Sequence, residues 1–207
     1  MPAAPKPRSD ARERILDAAT RLFAQGGYDG TSLQSVAQAA GMRAPSLLYH
    51  FASKELLRDA VLDALLARWK DIVPRVLLAA TTGRDRFDGV IGEVVAFFEQ
   101  EPLRARLLLR ESLDRPEEVQ ALIATHLAPW MSLLTEFIEL GKAEGRIHAD
   151  LDPPAYVSEV VLLILGHFAL GGIASAALVE DLQERRLIEL RRLCNAALYR
   201  PRPEHVA

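Results

Sequence analysis

The 207-residue chain is half apolar and 26% charged, which excludes a disordered tail and leaves room for a small head module plus a second core, or for one larger domain. Its single cysteine, Cys194, excludes a disulfide framework and a thiolate metal cage and points to a reducing compartment; no apolar run of signal-peptide length accompanies Lys6, Arg8, Arg12 and Arg14. The net charge of −3 divides unevenly, with 10 Lys and Arg against 7 Asp and Glu over residues 1–70 and 15 against 21 thereafter, a basic front on an acidic body that suits a polyanion reader.

Residues 1–8 carry three prolines and two basic side chains and read as a flexible basic arm. Helical periodicity follows throughout, with no strand-period alternation. Ser9 or Asp10 is placed to cap a first helix whose apolar face is Ile15, Leu16, Ala19, Leu22 and Phe23. Gly26-Gly27 stops it, because glycine accepts the left-handed conformation of helix C-termini. Thr31 with Gln34 three residues on forms a capping-box pattern for a short second helix, which buries Leu33, Val36 and Ala37 and ends at Gly41.

A third short helix is predicted around 44–50, with Pro45 tolerated in its first turn. Ser53 caps a long fourth helix through Leu56, Leu57, Ala60, Val61, Ala64 and Leu65, which Pro74 should kink or break. Five more helices are predicted at 85–100, 102–113, 116–144, 153–178 and 181–198, with Pro129 a kink inside the seventh. The expected architecture is therefore all-α with about nine helices. It divides into an arm (1–8), a three-helix head (9–55), a helical-bundle body (56–200) and a tail (201–207).

Two short helices joined by a glycine-containing turn and braced by a helix on each side are the plan of a helix-turn-helix. The second short helix must project side chains into a major groove about 12 Å wide while the first crosses the backbone. Gly41 permits the sharp turn, and Leu33, Val36, Ala37, Leu47 and Phe51 supply the apolar contacts that fix the interhelical angle.

The run GYDGTSLQSVAQAAGMRAPSLLYHFASKELL, residues 27–57, resembles the DNA-binding domain of the TetR (tetracycline-repressor-like) family. The match has a Gly-aromatic pair after the first helix, a Thr-Ser start to the second and an Ala-Gly turn. A Leu-x-Tyr/His-His-Phe recognition helix and a Ser-Lys-Glu start to the fourth helix complete it. It covers about residues 10–68 at motif level, and beyond that the likeness lies in helix count, spacing and punctuation. The resemblance implies a homodimeric, cytoplasmic, one-component transcriptional regulator, usually a repressor. It would bind a palindromic double-stranded DNA operator and respond to a small-molecule effector. It further implies that Thr31, Ser32 and Lys54 hold phosphates, that Tyr49 and His50 contact backbone or bases, and that Arg43, Ala44, Pro45 and Ser46 face the groove. Two positions depart from the family pattern: Arg43 stands where a Ser or Thr cap is common, and Leu48 where Tyr is common. Arg43 then becomes the candidate base reader, since a guanidinium suits guanine O6 and N7.

Other readings stand beside these. Thr31 and Gln34 serve equally as a plain helix cap, His50 as a packing residue, and the whole helix-turn-helix as the architecture of a binding or scaffold protein. The twenty residues Val160–Val179 meet the length of a membrane span, but Glu159 and Glu180 flank them and Gly171-Gly172 loosens the helix. A buried subunit interface is the preferred reading, and no membrane partner is expected. Dimerisation is expected through the last two helices. One would contribute Val160, Leu163, Ile164, Gly171, Ala174 and Leu178, the other Leu187, Leu190, Leu193 and Ala197.

No metal-ligand spacing, phosphate loop or catalytic triad is found, so neither a metal, a cofactor nor enzymatic activity is expected. The resemblance places an effector pocket among the body helices, where Phe97, Phe98, Arg110, His126, Trp130, Phe137 and His167 lie. A continuous helix would put His126 and Trp130 on one face a turn apart. Aromatic rings with a few polar groups suit a largely apolar ligand with one polar or acidic end, and they equally suit a packed core.

Overall fold

The computed structural model of the protein describes residues 8–69, 72, 75–76, 83–176 and 182–200. Among them are ten helices and one isolated antiparallel bridge, Ile147 with Tyr199. The head comprises α1 (Arg8–Gly26), α2 (Leu33–Ala39) and α3 (Ala44–His50), and α4 (Lys54–Ala67) leads out of it. The body comprises α5 (Gly83–Gln100), α6 (Leu103–Asp114), α7 (Pro116–His126), α8 (Ala128–Ala143), α9 (Pro153–Ala176) and α10 (Leu182–Leu198).

Local signals set the head. Ile15, Ala19 and Phe23 are fully buried on the predicted stripe of α1, and Leu16 and Leu22 pack partly against the same core. Helix α1 already includes Arg8, so Ser9 and Asp10 lie within its first turn rather than ahead of it, and the rest of the predicted arm, residues 1–7, lies outside the described residues. Gly27, at φ 75°, donates its N–H to the Phe23 carbonyl at 3.0 Å and ends the helix as expected.

The cap of α2 differs from the prediction. Ser32, not Thr31, is the N-cap, and its partner in the capping box is Ser35 rather than Gln34. Gly41, at φ 69°, makes the turn into α3, where Pro45 sits in the first turn. Ser53 caps α4 by accepting the Leu56 N–H at 3.2 Å. The predicted Pro74 kink lies outside the described residues.

The predicted helix 116–144 is two helices. The chain breaks at Leu127, and α7 and α8 meet at 64°. Pro129 explains the break: it has no N–H to give the carbonyl four residues back and its ring would strike that carbonyl, so the proline serves instead in the first turn of α8. With this division the described residues hold ten helices where about nine were predicted.

Helix α6 is the strut of the molecule, packing on α1 on one side and on α9 on the other, while α4 packs on α1 and on α7. Head and body consequently share one continuous core, which runs from Ile15 and Leu47 through Leu62 and Val95 to Leu107 and Ile164. A smaller cluster of Ile138, Ile147, Val157, Leu198 and Tyr199 fastens the end of α10 to the α8–α9 turn. There Tyr156 donates its hydroxyl to the Cys194 carbonyl at 2.6 Å.

Helix α9 is long and apolar enough over Pro153–Ile173 to cross a membrane, yet one of its faces is core. Val160, Ile164 and Gly171 are buried inside the subunit, as is Leu190 of α10, so these four are not available to a partner as predicted. The exposed apolar face overlaps the predicted stripes only in part: it holds Leu162, Leu163, Leu170 and Ile173 of α9, and Ile188 and Leu193 of α10. Leu163, Leu193 and Ala197 are exposed as the stripes required, and Leu187 is half-buried. Leu178 and the side chain of Ala174 lie outside the described residues.

Candidate functional site

Helix α3 rests on Leu47, which is fully buried, and on the cap residue Phe51. The opposite side of the helix is open. Arg43, Pro45 and Ser46 are exposed, Tyr49 is 77% exposed, and Ala44 and His50 are half-buried. Arg43 is the N-cap residue but makes no side-chain capping bond, so its guanidinium is not spent on the helix. The Tyr49 and His50 rings meet edge to face at 5.6 Å, which places the imidazole beside the most exposed aromatic of the face. One short helix thus presents a cation, two hydroxyls and an imidazole outward from a rigid apolar base.

Two flanking positions behave differently from each other. The Thr31 hydroxyl donates to the carbonyls of Gly27 (2.8 Å) and Leu22 (3.1 Å), and the residue is only 4% exposed. A buried hydroxyl shared between two carbonyls fastens the α1–α2 loop and does not reach a phosphate, which corrects the predicted role of Thr31. Ser32, next in sequence, is exposed.

The Lys54 ammonium donates to the carbonyls of Tyr28 (2.8 Å) and Thr31 (3.0 Å) and lies 4.1 Å from the Tyr28 ring centroid. Three donors on an ammonium leave one beyond these two carbonyls. Lys54 is therefore held in place by the loop it steadies.

The Tyr28 ring is a hub that sequence reasoning passed over. Arg115 at the α6–α7 junction (4.6 Å) and Arg58 of α4 (5.5 Å) also lie over it. Its hydroxyl donates to Glu55 at 2.6 Å; burial first, then this carboxylate, push the phenol up to about 12, while the same bond first of all holds Glu55 down at about 2. Arg58 pairs with Asp59 at 2.7 Å and with Glu118 of α7. The signal in the sequence was the Gly-aromatic pair itself, which places a ring where α4 and the body converge.

In the body, a cavity of about 170 Å³ is walled by α5 to α9 and by the end of α4. Of the seven predicted pocket residues, Phe98 and Trp130 line it. The other five do not. Phe97 packs edge to face on Trp69 at 4.9 Å and borders a separate polar cleft between α1, α4 and α5. The Arg110 guanidinium lies against Gly27, where a β-carbon would collide with it. His126 is buried with its Nε2 2.7 Å from Oδ1 of Asp63 on α4. Phe137 packs partly against the main core, and His167 sits beside Phe168 at 4.9 Å with its imidazole pushed down by burial and by Arg186.

The break at Leu127 is the reason His126 and Trp130 part company: they belong to different helices and turn to different neighbours. Sequence reasoning missed Trp69 and Ser112 as lining residues. Trp69 continues the i, i+4 apolar stripe of α4 from Leu65, and that periodicity was the available signal.

Residues 15–61 match the family described as bacterial regulatory proteins, tetR family, and residues 106–182 match the tetracyclin repressor-like C-terminal domain. The HTH-type transcriptional repressor KstR2 of Rhodococcus jostii is 30% identical over 164 residues, spanning 70% of this chain and 72% of that protein. The HTH-type transcriptional regulator RutR of Escherichia coli is 44% identical over 61 residues, 30% of this chain and 29% of its own length. The ketosteroid transcriptional regulator KstR2 of Mycobacterium tuberculosis superposes with a TM-score of 0.69 at 16% identity, covering 97% of this chain and 100% of that one. A regulator from Saccharomonospora viridis in complex with choline gives 0.69 at 21% identity, covering 94% and 100%. At those identities the two structures speak for the fold alone.

Proposed function

The chain belongs to the TetR family of bacterial regulatory proteins, and from that premise we propose that it is a cytoplasmic repressor that binds a palindromic operator as a homodimer. It is a ligand-responsive, DNA-binding transcriptional regulator, and is read as a regulator and not as an enzyme. The observation that carries the reading is the division of α3 into a buried side at Leu47 and an outward side at Arg43, Ser46 and Tyr49. A helix serving only as architecture has no need of an unspent guanidinium and an exposed phenol on one face.

In this reading the head is residues 9–55 and the body 56–200. Arg43, Ala44, Pro45, Ser46, Tyr49 and His50 enter the major groove, and the exposed Ser32 hydroxyl and the remaining donor of Lys54 take phosphates. Two heads must meet successive grooves about 34–36 Å apart. The copies associate through the exposed apolar face of α9 and α10, an area too apolar to leave in water. The effector occupies the cavity among α5 to α9, and the end of α4 in its wall is the mechanical path to the head.

The test is selection of bound fragments from a genomic library by wild type and by Arg43→Ala. Wild type should enrich a two-fold symmetric motif and the variant should lose preference at one position per half-site. A random fragment set with both proteins would instead favour the scaffold reading.

A further inference from the structure

Resting on the reading of the body cavity as the effector site, we propose that the effector is an uncharged, compact hydrocarbon-like molecule, one ring or a short chain in size, carrying at most one neutral polar group such as an alcohol. The described lining holds no Lys, Arg, His, Asp or Glu. The polar side-chain nitrogens and oxygens that these residues carry are the two indole N–H groups and the Ser112 hydroxyl.

Ser112 has already donated its proton to the Leu108 carbonyl at 2.7 Å. What the hydroxyl offers the cavity is its lone pairs, so it accepts from an alcohol or amide N–H and has nothing to give a carboxylate. A carboxylate placed here would meet no more than the neutral indole N–H donors and lose its water without a counter-ion, and an ammonium would lack an anion. The neighbouring charges are turned away. Glu111, one residue before Ser112, reaches Arg115 at 3.5 Å, and His126, one residue before the lining residue Leu127, is bound to Asp63.

Nor do the aromatic rings make a cage for a cation. Trp69 packs on Phe97, Phe98 on Phe168 and Phe87 on Tyr156, so three of the four lining rings are engaged with a neighbour outside the lining, and Trp130 alone makes no cage. Size agrees with the chemistry. A dry apolar cavity of about 150 Å³ takes one benzene ring, and the 170 Å³ here is of that order.

The experiment compares toluene, benzyl alcohol, benzoate and benzylammonium at pH 7, one skeleton in four polarities. The protein's two tryptophans, Trp69 and Trp130, both line the cavity, so intrinsic fluorescence reports its occupancy directly. Melting temperature is the second readout. Toluene and benzyl alcohol should shift both signals, and the two ions should need at least about tenfold higher concentration. Ser112→Ala should weaken benzyl alcohol several-fold and leave toluene unchanged.

Two cavity-filling variants on different helices, Val160→Phe and Ser112→Leu, should each abolish binding with helical content intact, so that one misfolded variant does not decide the matter. Equal or tighter binding of an ion, lost in the filling variants, overturns the charge assignment and leaves the effector site standing. Binding that survives both filled cavities moves the site elsewhere and overturns the proposal. Failure of all four probes with folded wild type overturns the reading of the cavity as an effector site together with the proposal.

Discussion

His126 on α7 and Asp63 on α4 meet at 2.7 Å across the boundary between the body and the helix that leads into the head. The imidazole is buried while the carboxylate stands half in solvent, and His126 is the last residue of α7 before the 64° break. Helix α7 contributes Val119 and Ile123 to the cavity wall, so a ligand that shifts α7 must drag or release Asp63. Replacing His126 by Ala should leave tryptophan-reported ligand binding near wild type. The ligand's effect on DNA affinity, typically about 5–150-fold in coupled systems, should fall towards unity. Asp63→Asn keeps a hydrogen-bonding partner and should retain most of the effect. Titrations of DNA with and without ligand measure both.

Lys54→Ala should weaken binding to every DNA sequence alike. Loss of one phosphate contact lowers the salt slope by about 1. The structure adds a second consequence, because the ammonium also holds the Tyr28 and Thr31 carbonyls. A stability loss of about 1 kcal/mol is expected alongside, measurable by denaturant unfolding without DNA.

Arg43→Ala should do the reverse. The side chain is exposed and makes no cap bond, so stability should stay within about 0.5 kcal/mol. Sequence preference should relax by about 1–3 kcal/mol at the base it reads. Competition between cognate and scrambled fragments separates this from the uniform loss at Lys54.

The contrast between the two variants shows which parts of the site were legible. Helix ends marked by Gly27, Gly41, Pro45 and Ser53 follow from backbone chemistry within a few residues, and the structure keeps them. Thr31 and Ser32 differ only in which side of the chain each faces, and that depends on where α1 ends relative to α2. The pocket was harder still. A helical wheel drawn through 116–144 puts His126 beside Trp130, and the break at Leu127 undoes that wheel. Arg110 and Phe97 are polar and aromatic residues on the right helices, but α6 has one side against the head, where Arg110 meets Gly27, and Phe97 turns to Trp69 and the polar cleft bordered by α1 and α4.

Glu111 should make the protein less stable as pH rises through the acid range. Its side chain is 1% exposed, Oε1 is buried without a hydrogen-bond partner, and desolvation raises its pKa against the pull of Arg115 and Arg58, with Asp114 adding to the rise. A folded-state pKa above the unfolded one means the native state binds more protons between the two values. Stability contributed by the protonated form is therefore full below the ordinary carboxylate range and lost as pH climbs through the raised value. Glu55, held at about 2, acts in the opposite sense and only at lower pH. Glu111→Gln should flatten the fall, gaining most over wild type near neutrality and little near pH 4. Unfolding curves across pH 4–8 for the two proteins test the sign.

The exposed face of α9 and α10 sets the last expectation. Ile173 is 74% exposed and Ile188 is 61% exposed in the single subunit, so neither contributes much to its core. A charge placed there costs the subunit little, but inside a dimer interface it would be buried without a partner. Ile173→Glu combined with Ile188→Glu should therefore yield monomers at micromolar concentration in sedimentation, with helical content and tryptophan-reported ligand binding preserved. DNA affinity should collapse at the same time, because each head then binds one half-site alone and the gain from tethering the second is lost. Val160→Glu makes the contrast, since Val160 faces the subunit's own core and should unfold it rather than dissociate it. A double variant that still sediments as a dimer would place the interface on another surface.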